Sequence, residues 1–143
     1  MLGHISFKTS RMEESIRFYK DLFGFAPVFS LKDDQGNPWI EYLMDPEGTF
    51  IELFYSSIIE PAPEQDDNHP YSHFCYEVAN IEEIIGKAGD GPYHLHKPLK
   101  KGRDDNLQCW FRDPNGQLVE VMQMSPDSPQ MKFRKQCMKP ERG

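Results

Sequence analysis

The chain has no long apolar run. No stretch approaches the roughly 18–20 residues a membrane-spanning helix needs, and Met1-Leu-Gly-His-Ile-Ser-Phe-Lys has no basic segment leading into an apolar one. Cysteine is scarce. Three in 143 residues (Cys75, Cys109 and Cys137) form no CxxC, which argues against a disulfide framework or zinc finger and suits a reducing, cytoplasmic setting. Basic charge is outweighed: 16 Lys and Arg face 23 Asp and Glu, for a formal net charge of −7. Binding a nucleic-acid backbone requires a basic face, so an acidic chain is expected to have no nucleic-acid partner. What is present is ordinary core material, 38% hydrophobic and 13% aromatic, enough for a folded domain.

The chain repeats itself. Asp45-Pro46-Glu47-Gly48-Thr49-Phe50-Ile51-Glu52-Leu53 returns 68 residues later as Asp113-Pro114-Asn115-Gly116-Gln117-Leu118-Val119-Glu120-Val121. Upstream, Gly3-His4-Ile5-Ser6-Phe7 is echoed by Ser72-His73-Phe74-Cys75-Tyr76, and Met12-Glu13-Glu14-Ser15-Ile16 by Ile81-Glu82-Glu83-Ile84-Ile85. Three echoes in one order at nearly one offset indicate two copies of a module. We place them at 1–56 and 72–124, within a single domain spanning 1–124. Residues 57–71, with Pro61, Pro63, Pro70 and an acidic run, read as an exposed linker. Residues 125–143 read as a polar C-terminal tail.

Each module reads as strand, helix, then three strands. Alternation over residues 4–9 predicts a strand with Ile5, Phe7 and Thr9 on one face and His4, Ser6 and Lys8 on the other. Residues 11–23 predict a helix with Met12, Ile16, Tyr19 and Phe23 on its apolar stripe and Gly24 as its stop. Strands are expected at 25–32, 38–44 and 49–55. The second module is expected to have strands at 72–78, 92–98, 106–112 and 117–124 and a helix at 81–88. Asp-Pro-x-Gly suits a type I turn before each last strand.

Strand parity puts chemistry on the faces turned away from the helices. Phe74, Tyr76 and Val78 should take the helix side, leaving His73 with Cys75 and Glu77. Glu52 and Glu120 likewise oppose the apolar sets Ile51/Leu53 and Val119/Val121. Each module thus offers one His and one Glu on its wet face, spaced 48 and 47 residues apart. If two sheets curve around one cleft, His4, Glu52, His73 and Glu120 converge. Two imidazoles and two carboxylates suit a borderline divalent ion such as Ni, Co, Mn, Fe or Zn. Gln108 and Trp110, on the same parity as Asn106 and Arg112, are candidate pocket residues. His94 and His96 share another. Cys75 is read as a small buried hydrophobe despite its parity.

These residues carry a family resemblance over about 2–124. The sequence resembles the vicinal oxygen chelate superfamily and, within it, glyoxalase I (lactoylglutathione lyase). The resemblance implies an α+β fold of paired βαβββ modules forming an incomplete barrel, and a homodimer. It implies one divalent metal ion held by His4, Glu52, His73 and Glu120, with nickel or cobalt favoured over zinc. The implied enzyme is a lyase or isomerase acting on a small molecule, a hemithioacetal or other α-hydroxycarbonyl, through a metal-bound enediolate. Glu120 is the first choice for the base that moves the proton and Glu52 the second. Glutathione-using members carry Arg and Asn where this chain has Lys8 and Ser56, and Lys lacks the bidentate fork of Arg. The alternatives are an Fe(II) extradiol-type dioxygenase and a non-catalytic drug-sequestering protein.

Overall fold

A computed structural model describes residues 2–57 and 71–137. The linker at 57–71, His69 with it, lies almost wholly outside the described residues. The elements are β1 (His4–Thr9), α1 (Met12–Phe23), β2 (Ala26–Lys32), β3 (Pro38–Met44), β4 (Phe50–Tyr55), β5 (Phe74–Glu77), α2 (Ile81–Gly89), β6 (Leu95–Lys101), β7 (Leu107–Arg112), β8 (Leu118–Gln123) and α3 (Pro129–Cys137). They form two separate four-stranded sheets, ordered β1-β4-β3-β2 and β5-β8-β7-β6, rather than one closed barrel. In each sheet the first strand pairs parallel to the last and the other pairs are antiparallel, so the βαβββ repeat is real at the level of hydrogen bonding.

The described residues form two compact units. One holds 2–57 together with the turn 113–117; the other holds 71–112 and 118–137. The first unit is organised by α1. Its side chains at Phe18, Tyr19 and Leu22 are almost wholly excluded from water, each worth roughly 1.5–3 kcal/mol. Tyr19 stacks on Phe7 of β1 and meets Phe18 and Phe25 edge-on. The stripe differs from the expected one. Ser15, Phe18 and Leu22 are buried, whereas Ile16 is only partly so. Ser15 enters the core because its hydroxyl is satisfied there, by the Arg11 carbonyl, Thr9 and the Asn115 amide, each at 2.9 Å. Gly24, at φ +76°, ends the helix in the left-handed region that favours glycine.

The two Asp-Pro-x-Gly turns are built alike. Asp45 Oδ1 accepts the backbone N–H groups of Glu47 and Thr49 at 2.9 and 2.8 Å. Asp113 Oδ1 accepts those of Asn115 and Gln117, both at 2.8 Å. Each fourth-position glycine donates to its Asp carbonyl at positive φ.

The second unit buries Ile81, Ile84 and Ala88 of α2 together with Cys109, Phe111, Val119 and Val121 of β7 and β8. Asn80 caps α2 through the Glu82 N–H, and Gln123 Oε1 accepts the Ile81 N–H at 2.9 Å. Two expectations are corrected here. The strand placed at 92–98 runs instead over Leu95–Lys101, with register shifts around Lys97. Pro98 and four basic or imidazole side chains leave no clean alternation to read. The segment read as a polar tail contains α3. Ser128 Oγ accepts the Met131 N–H at 3.2 Å and Pro129 occupies the first helical position. The helix is then tied down by Arg134, whose two terminal nitrogens each donate to Glu77 at 2.9 Å, and by Gln130 to Asp104.

Candidate metal-binding and catalytic site

The wet face of the first sheet centres on Glu52. In β1 the faces divide as parity requires: Phe7 and Thr9 are buried, while His4, Ser6 and Lys8 are exposed. Glu52 is paired in register with Ser6 on one side and Tyr42 on the other. Its carboxylate is well shielded, and His4 Nε2 stands 3.6 Å from Oε2. Ser6 Oγ donates to the same oxygen at 2.6 Å. The Tyr42 hydroxyl also donates to Glu52, and that bond is the main reason its phenol is harder to ionise than usual. The Tyr42 ring stacks on Phe29 at 4.2 Å, so apolar surface adjoins the polar pair.

The second sheet repeats the arrangement. Glu120 is paired in register with Cys75 and Trp110, the positions equivalent to Ser6 and Tyr42. His73 lies one residue before β5, yet its Nε2 reaches Glu120 Oε2 at 3.1 Å. Its Nδ1 is 2.9 Å from Ser72 Oγ, which orients the ring so that Nε2 faces the carboxylate. Trp110 meets His73 edge-on at 4.6 Å, and Lys97 Nζ lies 5.0 Å over the Trp110 ring. The indole N–H of Trp110 is buried and finds no hydrogen-bond partner among the described residues.

Cys75 departs from its sequence reading. It is exposed rather than buried, and its thiol donates to Glu120. Desolvation of the sulfur, reinforced by the Glu120 charge, pushes the thiol up to about 12, so it stays protonated. Cys109 is the buried one, its thiol raised to about 11 by burial. The residues of that parity at and just before β7 separate too. Trp110 lies against His73, whereas Asn106 is fully buried and structural, accepting the Ser125 N–H and donating to Asp104. His94 precedes β6 and is exposed, as is His96.

The four predicted ligands therefore fall into two pairs, His4 with Glu52 and His73 with Glu120, each inside its own unit. Among the described residues no three His, Cys, Asp or Glu side chains gather into one metal-holding group. In each pair a ring nitrogen and a carboxylate oxygen face each other; Ser6 orients Glu52 in one, and Ser72 orients His73 in the other.

This geometry can be set beside known proteins. The family model described as the Glyoxalase/Bleomycin resistance protein/Dioxygenase superfamily matches residues 1–121. The chain belongs to this superfamily. A curated relative, the metallothiol transferase FosB of Lysinibacillus sphaericus (strain C3-41), is 25% identical over 123 residues, covering 83% of this chain and 79% of that protein. Among solved structures, the fosfomycin resistance protein FosX from Listeria monocytogenes superposes with a TM-score of 0.67 at 14% identity, over 87% of this chain and 93% of that one. A lactoylglutathione lyase from Agrobacterium tumefaciens gives 0.63 at 17% identity, over 86% and 92%. At these identities the structures establish the shared fold. The superfamily includes metal-dependent enzymes acting on small molecules, and no helix among the described residues is long and apolar enough to cross a membrane.

Proposed function

We propose that the protein is a metal-dependent enzyme that moves a proton next to the carbonyl of a small α-hydroxycarbonyl substrate, a hemithioacetal in the first instance. The observation that carries this reading is the pair of equivalent His–Glu contacts, 3.6 Å in one module and 3.1 Å in the other. Each pair supplies half the ligand set of one divalent ion, nickel or cobalt before zinc, within one chain or between the two chains of a homodimer. When bound, the ion supplies Lewis acidity that polarises the substrate carbonyl.

The chain's own residues do the rest. Glu120 removes the proton from the carbon beside the carbonyl and returns it to the neighbouring carbon. Glu52, held by Ser6 and Tyr42, remains a ligand. Phe29 and Tyr42 offer apolar surface to the substrate's carbon skeleton. Lys8 is exposed beside His4 and Ser6 and supplies one positive charge rather than a guanidinium fork, which favours a thiol other than glutathione.

A second reading has its own support. The FosB relative is named for a metal-dependent transfer of a thiol, so a thiol adding to an electrophilic substrate on the same residues is the runner-up. One experiment separates the two. Metal-loaded protein is incubated in D2O with hemithioacetals of a 2-oxoaldehyde and several thiols, and separately with the same thiols and an epoxide, and products are followed by proton NMR. Isomerisation to a thioester supports proton transfer. Its absence, with consumption of thiol and an epoxide instead, supports transfer. Elemental analysis finding no divalent ion, and no gain after adding nickel, cobalt, zinc or iron, would refute both. Mixing His4→Ala chains with Glu120→Gln chains tests the sharing, because recovered metal binding in the hybrid requires ligands from two copies.

A further inference from the structure

The two carboxylates are held by different chemistry at equivalent positions. Glu52 receives two hydroxyl donors, Ser6 at 2.6 Å and Tyr42 from the adjoining strand. At the matching places around Glu120 stand Cys75 and Trp110. A thiol is a weak donor, and the Trp110 indole N–H has no hydrogen-bond partner among the described residues. Hydroxyl-to-carboxylate bonds are charge-assisted and short, about 2.5–2.7 Å in general, and are roughly twice as strong as neutral ones. The side chain of Glu52 is thus fixed from both neighbouring strands. Glu120 is oriented mainly by the His73 ring.

We propose that Ser6 is a positioning residue for Glu52, that Cys75 at the equivalent place leaves Glu120 unrestrained, and that this exchange of hydroxyl for thiol divides the work between the two modules. Glu52 is pinned as a permanent ligand; Glu120 is left loose enough to release the metal and carry the proton. The inference rests on the metal-dependent reading above and says which carboxylate moves. It also gives the thiol a reason to be a thiol: a serine at this place would restrain Glu120 as Ser6 restrains Glu52.

The test uses the full-length protein, stripped of metal and titrated calorimetrically with Co(II) alone. Ser6→Ala is expected to weaken binding by about tenfold, the lower end for loss of an outer-shell partner, and Ser6→Thr to restore it. Tyr42→Phe should weaken binding in the same direction and serves if Ser6→Ala does not fold. Cys75→Ala should stay within about threefold of the parent, below the range of a lost outer-shell partner. Cys75→Ser should tighten binding, by up to about tenfold, which corresponds to about 1.4 kcal/mol. The visible and near-ultraviolet spectrum of the Co(II) form should show no thiolate-to-cobalt charge-transfer band, and Cys75→Ala should leave it unchanged. Equal losses in Ser6→Ala and Cys75→Ala, no tightening in Cys75→Ser, or a charge-transfer band that vanishes in Cys75→Ala would each overturn the division of labour while leaving the metal site standing. A parent protein that binds no Co(II) overturns the underlying reading as well, and is seen before any variant is made.

Discussion

Removing one oxygen atom from the core, Tyr19→Phe, tests how the first unit holds the turn at Asp113. The ring of Tyr19 is fully buried, and its hydroxyl donates to Asp113 Oδ2 at 3.0 Å. Phenylalanine keeps the stack on Phe7 and the edge contact with Phe18. The loss is therefore one hydrogen bond to a buried carboxylate that the two turn N–H groups do not replace. Hydrogen bonds to charged groups contribute about 1.5–3 kcal/mol, so about 2 kcal/mol is expected at pH 7. For a chain of this size that is a fall in Tm of roughly 6–8 °C, read by circular dichroism and checked by urea midpoint at unchanged m-value.

The pH dependence makes the prediction sharper. Burial pushes the Asp113 carboxyl above its usual range, and the bonds from Gln117, Asn115 and Tyr19 oppose that rise without cancelling it. Its folded pKa is thus above its unfolded one. The folded state binds more protons in that window, so its contribution to stability falls as pH rises from about 3.8 through the folded value. Tyr19→Phe deletes a bond that favours the charged form, raising the folded value further and extending the decline. Below both values Asp113 is neutral, and the lost bond is an ordinary one of about 0.5–1.5 kcal/mol. The variant should therefore cost more at pH 7 than at pH 3.5. In an Asp113→Asn background, where Oδ1 still accepts the turn N–H groups, Tyr19→Phe should cost about 1 kcal/mol or less at both pH values. A loss below about 0.5 kcal/mol at pH 7, or one independent of pH, refutes the reasoning.

Further outcomes follow from the same contacts. Glu120→Gln should lower kcat by about 10²–10⁴, the range for a removed general base, with the folded circular dichroism spectrum retained; unchanged turnover in the metal-loaded variant removes Glu120 from the reaction. Chelation should lower Tm in the parent, and much less in a His4→Ala, His73→Ala double variant, because only ligand-bearing protein is stabilised by the ion; equal shifts in both would show that the histidines do not bind it. Leu43, with no exposed surface in β3, should cost about 2–5 kcal/mol when cut to alanine, measured as a shift in urea midpoint; a smaller loss would mean that the sheet collapses into the cavity.

What was legible in the sequence follows the period-two rule. A strand's faces are set by parity alone, so the repeat of His4 and Glu52 in His73 and Glu120 already implied one imidazole beside one carboxylate per sheet, and both contacts exist. Parity failed where the ladder is irregular. Around Lys97 the bulges shift the register, and no local pattern marks them in a run as polar as Leu95–Lys101. Residues 125–143 read as a polar tail although Ser128-Pro129 is a helix-start signal. Its apolar periodicity is weak because α3 is held largely by polar ties, Arg134 to Glu77 and Gln130 to Asp104. Hydrophobicity puts Ile16 on the α1 stripe, whereas the core takes Ser15, which it supplies with three hydrogen-bond partners that only tertiary structure provides.

Cys75 is the most instructive departure. Its parity placed it on the wet face with His73, and its residue type argued for a buried hydrophobe. Parity is a geometric constraint on the backbone, whereas the preference of cysteine for interiors is an average over unrelated sites. Where the two conflict, the geometric constraint decides. The thiol stands at the position that serine takes in the other module, facing the carboxylate of its own. A residue that defies its usual burial at a repeat-equivalent position beside a proposed metal ligand is where the proposed division of work between the two modules is open to test.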